Sequence, residues 1–80
     1  MARRLEPQKA LGRAIRRLRE ERGLKQRDVA NKANINLTHF SRLEHGRINP
    51  SWGTVRRVAA ALDIPVSQVA ARAEQIEREG

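Results

Sequence analysis

Eighty residues limit the chain to one small domain, and the lack of cysteine excludes a disulfide framework or a thiolate metal site. No stretch approaches the ~20 apolar residues that span a bilayer, and no signal-peptide core follows Arg3 and Arg4, so a soluble, cytoplasmic protein without a membrane partner is expected. The net charge of +8 is uneven: residues 1–57 carry fifteen of the seventeen basic residues and five of the nine acidic ones, while residues 58–80 carry more acid than base. A basic zone of this kind suits a polyanionic partner.

Residues 1–6 read as a flexible basic arm ahead of a single domain over 7–80. Pro7 suits a first helical turn. Leu11, Ala14, Ile15 and Leu18 then repeat at helical spacing, and Gly23 is a stop signal, so the first helix is predicted over Pro7–Arg22. Gln26–Ala33 makes a short second helix with Val29, Ala30 and Ala33 inward, and Asn34 suits a left-handed turn. Asn36 is a good N-cap for a third helix, Leu37–His45, which Gly46 ends. Ser51 can cap a fourth over Trp52–Leu62, where Trp52 leads the repeat Val55, Val58, Ala59, Leu62 and is expected in the core. Pro65 opens a fifth over Val66–Glu79. No strand-type alternation persists, so the fold class is all-α.

Two short helices joined by a tight turn, over about residues 26–45, form a helix-turn-helix layout whose second helix would read DNA. With Phe40 at zero and about 100° per residue, Leu43 lies near −60°, while Thr38, Arg42 and His45 lie near 160°, 200° and 140°. Phe40 and Leu43 therefore point inward and the polar trio outward. Arg can bond guanine O6 and N7 together, and Thr can hydrogen-bond a base edge or touch a thymine methyl. Leu37, near 60°, is at an angle that allows a packing role. Gln26 at a helix N-terminus joins an amide donor to free backbone N–H groups, a good phosphate site.

The run Leu24-Lys-Gln-Arg-Asp-Val-Ala30, then Phe40-Ser-Arg-Leu-Glu-His-Gly-Arg-Ile-Asn-Pro50, then Leu62, resembles the phage repressor/Cro family, also called the Xre family. The similarity covers about Leu11–Val66. It implies a five-helix, lambda-repressor-like domain that binds operator DNA, commonly as a dimer. It places Leu37, Thr38 and Arg42 against bases and Gln26 against a phosphate, with Asn36, Ser41, His45, Arg47 and Asn49 toward the backbone. It also pairs Arg19 with Glu44, which answers the cost of a lone carboxylate beside the core. Asn34 stands where the family usually has glycine, and Leu37 where a polar base reader is frequent.

Other chemistry is poorly served. His39 and His45 lie on different sides of one helix, so no metal, cofactor or catalytic group is expected. The tail keeps an apolar stripe through Val66, Val69, Ala70 and Ala73, read either as a helix packed on its own core or as a homodimer contact. The expectation is a transcription regulator on double-stranded DNA. A protein-binding adaptor and a non-specific nucleic-acid binder are the alternatives, and a regulatory protein partner fits either.

Overall fold

A computed structural model describes residues 5–79. The helices are α1 (Pro7–Glu21), α2 (Gln26–Ala33), α3 (Leu37–Glu44), α4 (Trp52–Ala61) and α5 (Val66–Glu79), and no strand occurs among the described residues. The basic arm expected over residues 1–6 falls mostly outside them. Its described end is not free, because Leu5 packs against Ala10, Ala14 and Ile76.

The first four helices end in the same way. Each is followed by a left-handed residue: Gly23, Asn34, Gly46 and Asp63, with φ of 67°, 56°, 69° and 59°. Beyond each, the next N–H reaches back across the last turn: Leu24 to the Arg19 carbonyl, Ile35 to Ala30, Arg47 to Arg42 and Ile64 to Ala59, at 2.9–3.2 Å. These bonds satisfy carbonyls that a bare helix end leaves open. Leu24, Ile35 and Ile64 also pack onto the core, so three connectors fold inward as part of the stop itself. Starts are equally local. The side-chain Oδ1 of Asn36 accepts from Thr38 N–H at 2.8 Å, Ser51 Oγ from Thr54 N–H at 3.1 Å, and Asp28 Oδ2 from Lys25 N–H at 2.9 Å.

One core lies between all five helices. Ile15, Val29, Phe40, Leu43, Val58 and Val69 have no exposed surface. Truncating a side chain such as Phe40 to alanine would cost about 3–5 kcal/mol, a large share of the stability of a domain this size. Ala10 and Ala14 of α1 meet Ile76 of α5 in a second, smaller cluster, where the small residues let the two helices approach closely.

Val69, expected at a dimer contact, is fully buried among the chain's own helices. A residue seven positions before Ile76 shares its side of α5, and that side covers α1 and α4. Of the other tail residues expected at a dimer contact, Val66 and Ala73 are half-buried and Ala70 is exposed.

Candidate nucleic-acid interface

Helices α2 and α3 meet at the Asn34 turn. Phe40 and Leu43 seat α3 in the core with no exposed surface. That anchoring turns Thr38, Arg42 and His45 out to solvent together, on the face opposite the anchor. Ser41 sits at the flank, half-buried, and Asn36, Arg47 and Asn49 are exposed at the two ends of the helix. Leu37 is 41% exposed at the start of α3. Arg19, Lys25, Gln26, Arg27 and Leu37 border one open hollow of about 600 Å³ at the mouth of the motif. His45 Nδ1 lies 2.8 Å from the Ser41 carbonyl oxygen. A carbonyl only accepts, so Nδ1 carries the proton and Nε2 is the ring nitrogen left for another partner.

Beneath this face lies a buried polar knot. The Glu44 carboxylate accepts from Arg19 Nε at 2.7 Å, from Arg19 Nη2 at 3.0 Å and from Gln26 Nε2 at 2.8 Å. Arg19 Nη1 donates to the Leu24 carbonyl at 2.8 Å. The two charged side chains are only 11% and 1% exposed. One guanidinium thus joins α1, the connector before α2 and the end of α3, with the fork geometry that makes such pairs strong. The hydrogen bond to Glu44 holds the Arg19 guanidinium above its ordinary pKa, against the opposing effect of burial. Gln26 has a duty that sequence reasoning did not foresee, since one amide N–H is committed to Glu44. Its second N–H and the backbone N–H groups of Gln26 and Arg27 remain open, whereas the Asp28 N–H donates to the Lys25 carbonyl at 3.1 Å.

Close backbone contact sets the angle of α3 against α1. A Cβ at Gly12 would strike the Leu43 carbonyl oxygen and come within 2.6 Å of the Glu44 carbonyl oxygen. Only a glycine lets α1 cross the end of α3 this closely.

Trp52 corrects the sequence reading: it is 63% exposed. The inward side of α4 is set by Thr54, Val58 and Ala61, and Trp52 lies about 120° from Val58 around the axis. It borders an apolar groove of about 390 Å³ between α1, α4 and α5, with Leu11, Val55, Val66 and Ala70 in its walls and Glu74 and Glu77 among its lining. The apolar repeat of α4 hid this because a repeat at three and four residues also admits positions at the edge of the stripe.

A buried-backed polar helix, set by a short turn behind a second helix, defines the class of a helix-turn-helix domain with the lambda-repressor-like arrangement. The chain belongs to the helix-turn-helix domain family, whose profile matches residues 10–72. It is 44% identical over 52 residues to an HTH-type transcriptional regulator, DdrOP3, of Deinococcus deserti, covering 65% of this chain and 40% of that one. It is 38% identical over 69 residues to the immunity repressor protein of Bacillus phage phi105, covering 86% of this chain and 48% of that one. The chain therefore spans less than half the length of these two relatives. The clp gene regulator ClgR of Corynebacterium glutamicum superposes with a TM-score of 0.91 at 28% identity, covering 95% of this chain and 81% of that one.

Proposed function

We propose that this chain is a sequence-specific, double-stranded-DNA-binding transcription regulator that lays α3 in the major groove. The observation that carries the reading is the outward Thr38–Arg42–His45 face, backed by Phe40 and Leu43 and set within the basic zone of the chain. Arg42 and Thr38 read base edges, with Leu37 placed to meet a thymine methyl. Gln26, Asn36, Ser41, His45, Arg47 and Asn49 face the sugar–phosphate backbone, which supplies affinity without base information. The regulators among its relatives support this reading.

Selection of duplexes from a random pool tests it. A defined consensus is expected, and Arg42→Ala should weaken binding to it by about 1–3 kcal/mol while relaxing preference at one base position per half-site. Recovery of no preferred sequence would overturn it.

The working form is a homodimer on a palindromic site, with recognition helices about 34 Å apart. A single small module buries limited surface on DNA, and closed twofold dimers are the commonest assemblies. The groove bordered by Trp52, with Val69 buried at its base and Val66, Ala70 and Ala73 in its walls, is the contact. Its apolar walls, Leu11, Val55, Val66 and Ala70, and the largely exposed Trp52 at the rim give an apolar surface that a second copy can cover. Ala70→Glu, at an exposed position, should leave the fold intact and give a monomer by sedimentation. Trp52 is the only tryptophan, so its emission should shift to the blue as wild-type concentration rises. An Ala70→Glu protein that sediments as a dimer would remove this surface from the assembly.

A further inference from the structure

We infer that α1 carries a second phosphate-binding track, formed by Lys9, Arg13 and Arg16, that grips one strand of the duplex beside the end of the recognition helix. The inference rests on the DNA-binding reading and extends it to a helix outside the helix-turn-helix.

The three residues follow one another at four and three positions, so they stand in a row on one side of α1. Lys9, Arg13 and Arg16 line a single cleft of about 300 Å³ together with Glu44 and His45, the last residues of α3 and its cap. Two close backbone contacts hold this row in place. Gly12 lies against the Leu43 and Glu44 carbonyls, and a Cβ at Gly46 would come within 2.7 Å of Lys9 Cα. The row therefore cannot drift away from His45 and Arg47, which the proposed reading sets toward the backbone.

Its charge is also unspent. Among the described residues Lys9 and Arg13 form no ion pair, and the pair of Arg16 with Glu20 is long, at 3.4 Å, and more than half exposed on both sides. Glu44 is the acid in the cleft, and its carboxylate already accepts from three donors of Arg19 and Gln26. A row of exposed cations whose one ion pair is long and exposed, beside a groove-reading helix, is suited to a ligand with regularly spaced negative charge. From Lys9 to Arg16 the helix rises about 10 Å, and duplex phosphates follow one another at about 3.4 Å of axis per strand. The row can thus meet two or three phosphates in succession.

The test is the salt dependence of binding by Lys9→Gln/Arg13→Gln, a pair of exposed changes that keep the side-chain stems and the fold. Each lost phosphate contact should reduce the slope of log K against log salt by about 0.9, so the double variant should lose about 1.8. Binding to the selected duplex and to a random-sequence duplex should fall by the same factor, with base preference unchanged. Arg72→Ala/Arg78→Ala, which removes equal charge from α5, should leave the slope near the wild-type value. An unchanged slope in the Lys9/Arg13 variant, or an equal drop in the α5 variant, would overturn the track while wild-type base preference leaves the DNA-binding reading standing. Failure of the wild-type chain to bind duplex at all would overturn both.

Discussion

Helix α1 is tied to the rest of the molecule by two arginine–glutamate pairs, each made of two hydrogen bonds. On the recognition side Arg19 grips Glu44 at 2.7 and 3.0 Å. On the tail side Arg72 grips Glu21 at 2.7 and 3.2 Å. Distance does not separate them; surroundings do. The Arg19–Glu44 side chains are 11% and 1% exposed, whereas those of Arg72 and Glu21 are 28% and 52% exposed. Water screens the second pair and competes for both partners, so it is worth little. In the first pair each partner has lost its water, and removing one leaves the other charge buried and uncompensated. The helix that would enter the groove is thus aligned by buried polar bonds and backbone contact. The tail is held mainly by apolar burial of Val69 and Ile76.

The largest effect should come from Glu44→Ala. It strands the Arg19 guanidinium and frees the Gln26 amide, and should lower stability by about 3–5 kcal/mol, the range for breaking buried pairs. Thermal or urea unfolding measures this. Base preference should change far less than stability, since Glu44 does not reach the outer face of α3. A melting temperature equal to wild type would show that burial of the pair does not set its worth.

A smaller loss is expected for Gly12→Ala. The added Cβ meets two backbone carbonyl oxygens, which cannot rotate away as a side chain can. Alanine favours a helix interior over glycine by about 1 kcal/mol, so any net loss reports the clash directly. We expect a net loss of about 1–3 kcal/mol, and weaker duplex binding as α3 is displaced. A Gly12→Ala protein more stable than wild type would show that the α1–α3 crossing can relax.

The smallest effect belongs to Glu21→Ala, which should leave the melting temperature near its wild-type value at neutral pH. The Arg72 hydrogen bond holds the Glu21 carboxyl below the usual carboxylate range. A depressed carboxylate contributes its stability above its unfolded pKa and loses it as pH falls through the folded one. The difference between Glu21→Ala and wild type, already small at neutral pH, should therefore vanish on acidification. A large destabilisation at pH 7 would erase the contrast between the two pairs.

Much of the architecture is written locally. The stops at Gly23, Asn34 and Gly46 and the caps at Asn36 and Ser51 depend on bonds within a few residues, so the chain order alone indicates them. The outward turn of Thr38, Arg42 and His45 follows from helical geometry once Phe40 and Leu43 are recognised as the anchor. Asp63 was harder to see, because aspartate adopts a left-handed turn far less exclusively than glycine.

What tertiary structure decided is where several elements share one residue. Gln26 looks like a free donor at a helix start, and only the approach of α3 brings Glu44 within 2.8 Å of it. Trp52 belongs to an apolar repeat, yet the angle at which α4 packs on α2 and α5 leaves it at the rim of a groove. Val69 and Ala70 are adjacent small residues of one stripe, and packing against α1 and α4 buries the first completely while leaving the second exposed. Periodicity defines a face around each helix, but the width of that face that is covered depends on how closely its neighbours approach. Here that approach is set by Gly12, Ala10 and Ala14, whose small size shows in the sequence but whose partners across the fold do not.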